Sequence, residues 1–233
     1  MIIERTACVS IPDLKEQKDM YASLFQNLAN DNSDNSFLQL AELMQMYSAA
    51  MKGVGTRLDV LDGELQITHK HNPIHHIESR IKSVANIFKK LHRYGVPLSL
   101  DSAKEHIRDI AGIRVICNYI DDVYAIESML LKQPDVALIT RKDYISQPKD
   151  NGYRSLHLIV EVPIFLSDIT ENIPVEIQMR TVAMDYWASL EHQLRYKNNN
   201  NDVAKYSSML LDCANTLADT ERTMQYIRKS IEK

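Results

Sequence analysis

The chain has 233 residues, of which 45% are apolar and 25% charged, and it contains only 6 Gly and 7 Pro. This composition excludes collagen-like, low-complexity and linker-type proteins, and it predicts one enlarged globular domain or one domain with helical additions. The net charge of −4 argues against a protein that coats duplex nucleic acid or an anionic membrane with its whole surface.

Cysteine usage and hydropathy predict a cytoplasmic protein. Cys8, Cys117 and Cys213 form neither a C-x-x-C pair nor the dense pattern of a secreted disulfide scaffold. No apolar run approaches the roughly 20 residues that span a bilayer, and the first residues lack the apolar core of a signal peptide. We therefore expect no membrane partner.

The N-terminal part of the chain is predicted to be helical after a loop. The turn-forming residues 30–36 indicate the loop, and apolar residues then recur every three or four positions over residues 37–61, which predicts a long amphipathic helix. Asn72-Pro73 favours a second helix start, because Asn caps free amides and Pro tolerates the first helical position. Residues 95–97 would end this helix. Its apolar face would contain Ile77, Ile81, Val84, Phe88 and Leu91.

The rest of the chain is predicted to alternate strands and helices, which indicates an α/β (α+β) domain with a mixed β-sheet. The strands are predicted at residues 113–120, 136–140, 156–162 and 175–179, and the helices at residues 102–106, 121–131, 183–196 and 203–227, the last after the Asn tract 198–201. We divide the chain into an N-terminal helical region (1–70), a central core (71–197) and a C-terminal helix (198–233).

Two carboxylates are candidates for a metal site. Glu176 and Gln178 share one face of the strand at 175–179, and Asp109 stands just before the strand that carries Arg114. Asp109 and Glu176 could therefore meet on neighbouring strands. Such a pair among cations suits Mg²⁺ and polyphosphate, because hard oxygens hold the metal and cations absorb the phosphate charge. The alternative is two exposed carboxylates in surface salt bridges.

Positive charge is concentrated in one stretch of the chain. Residues 80–114 carry eight Lys or Arg and three acids, whereas residues 1–50 carry three and seven. On the predicted second helix, the polar positions include Arg80, Lys82, Ser83, Lys90 and Arg93. A helix face without acids favours an anionic ligand, and the alternative is a solvated surface.

A polar turn precedes the strand at 156–162. In residues 149–155, Gly152 supplies backbone freedom, and Tyr153 is a ring that could stack on a base. The alternative is a turn with a half-buried aromatic side chain.

Four histidines, His69, His71, His75 and His76, form a cluster. His71 and His75 have the i, i+4 spacing of a helical metal pair, but neither Cys nor carboxylate completes the set, so solvated histidines at a helix start are favoured. The sequence contains no P-loop, no G-x-G-x-x-G and no nucleophile-elbow motif.

Five segments, in this order, resemble the small alarmone synthetases, the single-domain relatives of RelA/SpoT enzymes, and within them the RelP (SAS2) subtype. They are HNPIHHIESRIKS, RDIAGIRVIC, KDYISQPKDNGYRSLHLIVEVP, VEIQMRT and MDYWASLEHQLRYK. The resemblance covers about residues 70–197. It implies a nucleotidyltransferase-like synthetase domain, a homotetramer assembled through terminal helices, and no stable nucleic-acid partner.

The resemblance implies a Mg²⁺-dependent pyrophosphokinase that moves the β,γ-diphosphate of ATP to the 3′-OH of GDP or GTP, giving (p)ppGpp and AMP in the stringent response, with no hydrolase activity. Asp109 and Glu176 match the Mg²⁺ ligands, and Glu176 also matches the general base. The ATP-site matches are Arg80, Lys82, Ser83, Lys90, Arg93, Arg114 and Lys142. The GDP/GTP-site matches are Lys149, Asn151, Gly152, Tyr153, His157 and Gln178, with Tyr153 stacking on guanine.

Two other functions stay open at this point. Some relatives pyrophosphorylate the 3′ end of tRNA, although the net charge of −4 disfavours a large RNA acceptor. The other is a catalytically silent guanine-nucleotide or RNA-binding module that keeps the fold.

Overall fold

The computed structural model describes residues 2–4, 33–68, 71–197 and 203–231. In chain order the elements are β1 (Ile2–Glu4), α1 (Ser33–Thr68), β2 (Ile74–Ile81), α2 (Val84–Tyr94), α3 (Leu100–His106), β3 (Ala111–Cys117), α4 (Ile120–Leu131), β4 (Ala137–Asp143), β5 (Leu156–Phe165), β6 (Thr170–Thr181), α5 (Val182–Lys197) and α6 (Val203–Ile231). The described strands form one mixed sheet in the order β1-β2-β3-β6-β5-β4. The predicted α/β (α+β) class with a mixed sheet is confirmed.

The centre of the sheet is the parallel pair β3 and β6. β2 lies antiparallel to β3 on one side, and β5 lies antiparallel to β6 on the other. The short strand β1 pairs in parallel with β2, so residues of the region predicted to be helical extend the sheet. The domain boundaries at residues 70 and 197 stay predictions.

One face of the sheet is apolar and packs against helices. Successive side chains of a strand point to opposite faces, and in β6 Val175, Ile177 and Met179 are fully buried. They belong to one core that also contains Tyr47 and Leu58 of α1. Because this face is covered, the opposite face of the same strands is left for polar side chains.

The predicted helix over residues 73–93 is wrong in its first half. Residues Ile74–Ile81 form β2, and only Val84–Tyr94 form a helix, with Ser83 as its N-cap and Gly95 in the left-handed conformation at its end. A β-bulge between Ile74 and His76 shifts the alternation of β2, so that Ile74 and Ile77 are both buried. Their spacing of three imitates a helix, and a true helix follows directly.

The other predicted elements are confirmed with shifted ends. The helix at residues 37–61 extends to Ser33–Thr68 and includes part of the predicted loop, because Ser, Asp and Asn also suit a helix N-terminus. Residues 30–32 and the Asn tract 198–201 lie outside the described residues. Among the described helices, none is long and apolar enough to cross a membrane.

Candidate active site

Two rows of polar side chains cross the open face of the sheet. In the first row, Arg114 of β3 lies between Glu78 of β2 and Gln178 of β6. The row continues through His157 of β5 to Lys142 of β4. The strand register therefore places four of the candidate residues from the ATP and GDP/GTP sets, Arg114, Gln178, His157 and Lys142, next to one another on neighbouring strands.

The second row places Gly112 of β3 between Arg80 and Glu176. A Cβ at Gly112 would lie 3.7 Å from Cγ of Arg80, an ordinary van der Waals distance, so the stem of Arg80 lies beside Gly112. The two rows enclose an open cavity of about 220 Å³. Its lining residues are Glu78, Ser79, Arg80, Gly112, Ile113, Arg114, Glu176 and Gln178.

Asp109 lies just before β3, at one end of this cavity, and is held by two lysines. Its carboxylate oxygens accept hydrogen bonds from Nζ of Lys82 at 2.7 Å and from Nζ of Lys90 at 2.8 Å. Burial disfavours the carboxylate, but the hydrogen bonds and charges of the two lysines outweigh it and lower the pKa of Asp109 below its ordinary value. All three side chains are less than one-fifth exposed, so this cluster differs from the exposed salt bridges that were the alternative.

Arg114 is fixed by two acids that sequence reasoning missed. Its Nη1 donates to Oε2 of Glu78 at 3.1 Å and lies 3.4 Å from Oδ1 of Asp185, at the start of α5. Glu78 is buried, with 8% of its surface exposed. The guanidinium plane is therefore oriented before any ligand arrives.

A chain of hydrogen bonds joins Tyr153 to the sheet. Nη2 of Arg180 donates to the Tyr153 hydroxyl at 2.8 Å and to Oε1 of Gln178 at 3.2 Å. The hydroxyl lies 2.8 Å from Nε2 of His157, and Gln178 donates to Oε2 of Glu176 at 3.0 Å. Tyr153 and Glu176 are thus connected through side chains that are all at least partly buried.

His157 is neutral at physiological pH. Burial, followed by the charges of Arg180, Lys149 and Lys142, lowers its pKa to about 4. A neutral imidazole has one unprotonated nitrogen, so the Tyr153 hydroxyl can accept from Arg180 while it donates to Nε2 of His157. His157 therefore orients the phenol and adds no positive charge beside Glu176.

The turn at residues 149–155 is confirmed, and Gly152 is the residue that permits it. Gly152 has φ of 87°, a left-handed conformation that favours glycine, and its N–H donates to the Lys149 carbonyl at 2.8 Å. The amide N–H of Tyr153 donates to Oδ1 of Asn151. Nζ of Lys149 lies 4.9 Å from the Tyr153 ring centre and 4.6 Å from that of Tyr144. The Tyr153 ring is half-buried, as in the second alternative raised for this turn, and its stacking on a base stays a prediction.

Three further candidates lie outside the lining of the cavity. Ser83 is the exposed N-cap of α2, Arg93 is exposed in the last turn of α2, and Lys142 is exposed on β4. Glu78, Tyr144, Arg180 and Asp185 were not predicted. The alternation in VEIQMRT would have placed Arg180 beside Glu176 and Gln178, and the helix assignment for β2 concealed Glu78.

The interpretation of the clustered histidines as part of a helix start is wrong, because Ile74–Ile81 form β2, and the i, i+4 spacing of His71 and His75 therefore does not place them on one helix face. His75 lies on β2 and bonds His76 through their Nδ1 atoms, 2.7 Å apart, whereas His71 lies before the strand, 3.0 Å from Oδ1 of Asp122. Among the described residues, no group of three or more His, Cys, Asp or Glu is arranged to hold a metal ion. His69 is outside the described residues.

A family model described as "Region found in RelA / SpoT proteins" matches residues 79–201. The chain belongs to the RelA/SpoT family. It is 41% identical to the GTP pyrophosphokinase YwaC of Bacillus subtilis over 187 residues, which are 80% of this chain and 89% of the relative. It is 32% identical to the GTP pyrophosphokinase YjbM of the same organism, over 80% of this chain and 87% of that relative.

Solved structures of small alarmone synthetases have the same fold. Small alarmone synthetase 1 of Bacillus subtilis, bound to its product pppGpp, superimposes with a TM-score of 0.76 at 31% identity, covering 84% of this chain and 99% of that one. Small alarmone synthetase 2 of the same organism gives 0.74 at 39% identity, covering 82% and 98%. The resemblance inferred from five sequence segments is confirmed.

Proposed function

We propose that this protein is a GTP pyrophosphokinase that transfers the β,γ-diphosphate of ATP to the ribose 3′-OH of GDP or GTP and releases AMP. The observation that carries the proposal is the position of Glu176 on one face of the sheet, between a group of charged side chains and a chain of hydrogen-bonded side chains. On one side lie Arg80, Arg114 and the Asp109 cluster, and on the other lies the hydrogen-bonded chain that ends at Tyr153. The family membership and the pppGpp-bound relative support it.

The cationic side suits ATP. Arg80 and Arg114 stand on adjacent strands of the cavity, and flat guanidinium groups can stack on an adenine ring. Lys82, Lys90, Arg93 and Lys142 are the cations proposed for the phosphates, and Ser83 is an N-cap at the start of α2. Transfer of a phosphoryl-type group depends mostly on positioning and charge neutralisation, which such a set supplies.

The donor set fits Mg²⁺ as the cofactor. Mg²⁺ in nucleotide sites is bound through one or two carboxylates and the substrate phosphates, so Asp109 and Glu176 are sufficient and a larger cluster is not required. When bound, the ion supplies charge neutralisation at the phosphates. Asp109 is ionised at neutral pH even at its ordinary pKa, and its two lysines lower that pKa further, so the carboxylate is a hard oxygen donor.

Glu176 is the proposed general base. Its carboxylate is oriented by Gln178 and would take the proton of the 3′-OH while that oxygen bonds the β-phosphorus of ATP. The bond between the β-phosphorus and the α,β-bridging oxygen breaks, and AMP leaves with that oxygen. The 3′-OH reaches Glu176 when the guanine stacks on Tyr153, with Lys149, Asn151, Gly152, His157 and Gln178 around the acceptor.

The test is to incubate the protein with radiolabelled ATP, Mg²⁺ and either GDP or GTP, and to separate the nucleotides. We expect AMP and a new tetra- or pentaphosphate, and a loss of about 10²–10⁴ in rate for Glu176→Gln. Glu171→Gln, on the exposed end of the same strand, is the matched control and should keep wild-type rates. In a parallel reaction with tRNA in place of GDP or GTP, labelling of tRNA without any nucleotide product in the first reactions would favour a tRNA acceptor, and no product from any acceptor would overturn the proposal.

Self-association in the cytoplasm is part of this proposal. Exposed apolar side chains recur on α5, at Val182, Tyr186 and Leu194, and on α6, at Met209 and Met224. Such faces are typical of helices that pack in symmetric oligomers, which supports a homotetramer. Sedimentation velocity at micromolar concentration should give the mass of four chains.

A further inference from the structure

The loop that presents Tyr153 does not rest on the sheet alone. Gly152 is buried, and a Cβ placed on it would lie 2.6 Å from Cβ of Ala214 and 3.1 Å from Cδ1 of Leu211, both on α6. Tyr153 itself packs against a small apolar cluster formed by Trp187 of α5 and Ala214 of α6. The loop backbone therefore lies in close contact with α6.

Arg154, the residue after Tyr153, ties this loop to α6 by hydrogen bonds. Its Nη1 donates to the Ala214 carbonyl at 3.0 Å, and its Nη2 donates to Oδ1 of Asn215 at 3.4 Å. Arg154 lies in the loop before β5 and is not among the residues that line the cavity. Its guanidinium is used to dock the loop on a helix.

The helix is itself fixed at this point by α5. The indole N–H of Trp187 donates to the Leu210 carbonyl of α6 at 2.8 Å, and Asn151 of the loop donates to Glu191 of α5 at 3.4 Å. Two helices thus support the outer side of the loop, while Arg180 and His157 hold its inner side through the Tyr153 hydroxyl.

We propose that Arg154 is a positioning residue for the acceptor nucleotide, which it serves by seating the Gly152–Tyr153 turn on α6. This inference rests on the proposed function, because it takes Tyr153 as the guanine platform. Ring stacking requires the plane of the Tyr153 ring to be fixed before the base binds. A loop anchored on one side only would have to be ordered when GDP binds, and the entropy lost in this ordering would lower the affinity for GDP. Acceptor affinity is therefore set in part by a helix that touches neither substrate.

The test compares steady-state kinetics of Arg154→Met with those of wild type, with ATP and GDP varied separately. Methionine keeps most of the apolar stem and removes both donors. We expect the KM for GDP to rise about tenfold, because the two lost hydrogen bonds hold the turn and only part of their energy contributes to GDP binding, while the KM for ATP and the kcat stay within about twofold. The Kd for GDP without ATP, from isothermal titration calorimetry, should rise by the same factor.

Three further variants separate positioning from general damage. Arg154→Lys keeps one donor and should recover part of the lost affinity for GDP. Arg222→Met, on the exposed face of α6 where Arg222 pairs with Asp219, should match wild type. Ala214→Val enlarges the contact with Gly152 and should raise the KM for GDP without changing the KM for ATP, which keeps the test available if Arg154→Met does not fold.

The outcomes are distinguishable from failure of the proposed function. A wild-type protein that makes no pyrophosphorylated product contradicts the function itself. An active wild type with an unchanged KM for GDP in folded Arg154→Met, or with KM for ATP and GDP raised equally, overturns the positioning role.

Discussion

The two sides of Glu176 are stabilised in different ways. On the ATP side, Asp109, Lys82 and Lys90 form a cluster of opposite charges whose lysines can also bind phosphate oxygens. On the acceptor side, Tyr153, His157 and Arg180 form a chain of hydrogen bonds around a half-buried ring, and Arg180 is 5% exposed. The lysines of the first arrangement can exchange Asp109 for phosphate oxygens when ATP binds. The second arrangement holds the Tyr153 ring in one orientation.

This difference follows from the two ligands that the site is proposed to bind. The polyphosphate of ATP brings negative charge that must be neutralised. Lysine side chains that are paired with a carboxylate can exchange this partner for a phosphate oxygen at small cost. The guanine ring of the acceptor brings a flat surface and little charge to the Tyr153 side, so it is recognised by a ring that is already fixed in place. Both substrates carry a purine and phosphates, but substitutions in the Asp109 cluster should act mainly on ATP, and substitutions at the Tyr153 ring mainly on GDP.

Asp109→Asn should have the largest effect on the ATP side. The change removes the charge that partners Lys82 and Lys90 and one of the two oxygen donors proposed for Mg²⁺. We expect kcat/KM for ATP to fall by about 10²–10³, the size found when one preorganised electrostatic group is removed from an active site. Asp135→Asn, at an exposed carboxylate paired with Arg57, is the control and should leave the rate unchanged. Equal loss in both variants would contradict the assignment.

Arg114→Met should raise the KM for ATP by about 10- to 100-fold, because it removes a guanidinium that is already oriented by Glu78 and Asp185. The KM for GDP should change little. Arg141→Met is a matched control, because it also leaves a buried glutamate, Glu127, without its arginine. If both arginine variants lose activity in proportion to stability, measured by thermal unfolding, Arg114 has no specific role.

Tyr153 offers a graded test of the acceptor side. Tyr153→Leu removes the ring and should raise the KM for GDP about tenfold, within the range of base–aromatic stacking energies. Tyr153→Phe keeps the ring and removes the hydroxyl bonded to Arg180 and His157, so a change of about threefold is expected. Equal effects for Phe and Leu would show that the loss comes from the hydroxyl and not from the stack, because Leu lacks both groups and Phe lacks only the hydroxyl.

His157 should make the fold slightly less stable in mild acid. Its folded pKa of about 4 is below its ordinary value, so the unfolded chain binds a proton first as the pH falls. Stability is then lost between about pH 6.5 and 4, with about 1 kcal/mol lost from this group between pH 6.5 and 5.5. Urea unfolding at several pH values should show this slope, and His157→Gln should reduce it. Tyr153→Phe should retain most of it, because burial is the largest cause of the shift.

The sequence predicted the acceptor side better than the ATP side, for a physical reason. The strand VEIQM alternates strictly, so Glu176 and Gln178 could be placed on one face, and the turn with Gly152 and Tyr153 was visible from its composition. The strand β2 contains a bulge, which breaks the alternation and produced a helical interpretation. Glu78 was therefore missed, and Arg80 was placed on the wrong kind of element.

The contacts between distant segments could not be derived from local patterns. Asp109 was predicted near a cationic helix, but its bonds to Lys82 and Lys90 depend on how β2 and α2 pack beside β3. The support of the Tyr153 turn by α6 joins residues that are about 60 positions apart. Neither contact leaves a periodic signal, because tertiary packing decides it.

The parallel pairing of β3 with β6 has a consequence for how the protein is made. Gly112 and Glu176 lie side by side, yet the whole of α4, β4 and β5 is synthesised between them. Contacts of such long sequence separation form slowly and late in folding. A ribosome-bound chain that has not yet exposed β6 has its arginines and Asp109 but no Glu176 beside them. With Glu176 as the proposed base, we expect that the nascent chain does not consume nucleotide before β6 is inserted, and that truncations ending before Thr170 are inactive whatever their solubility.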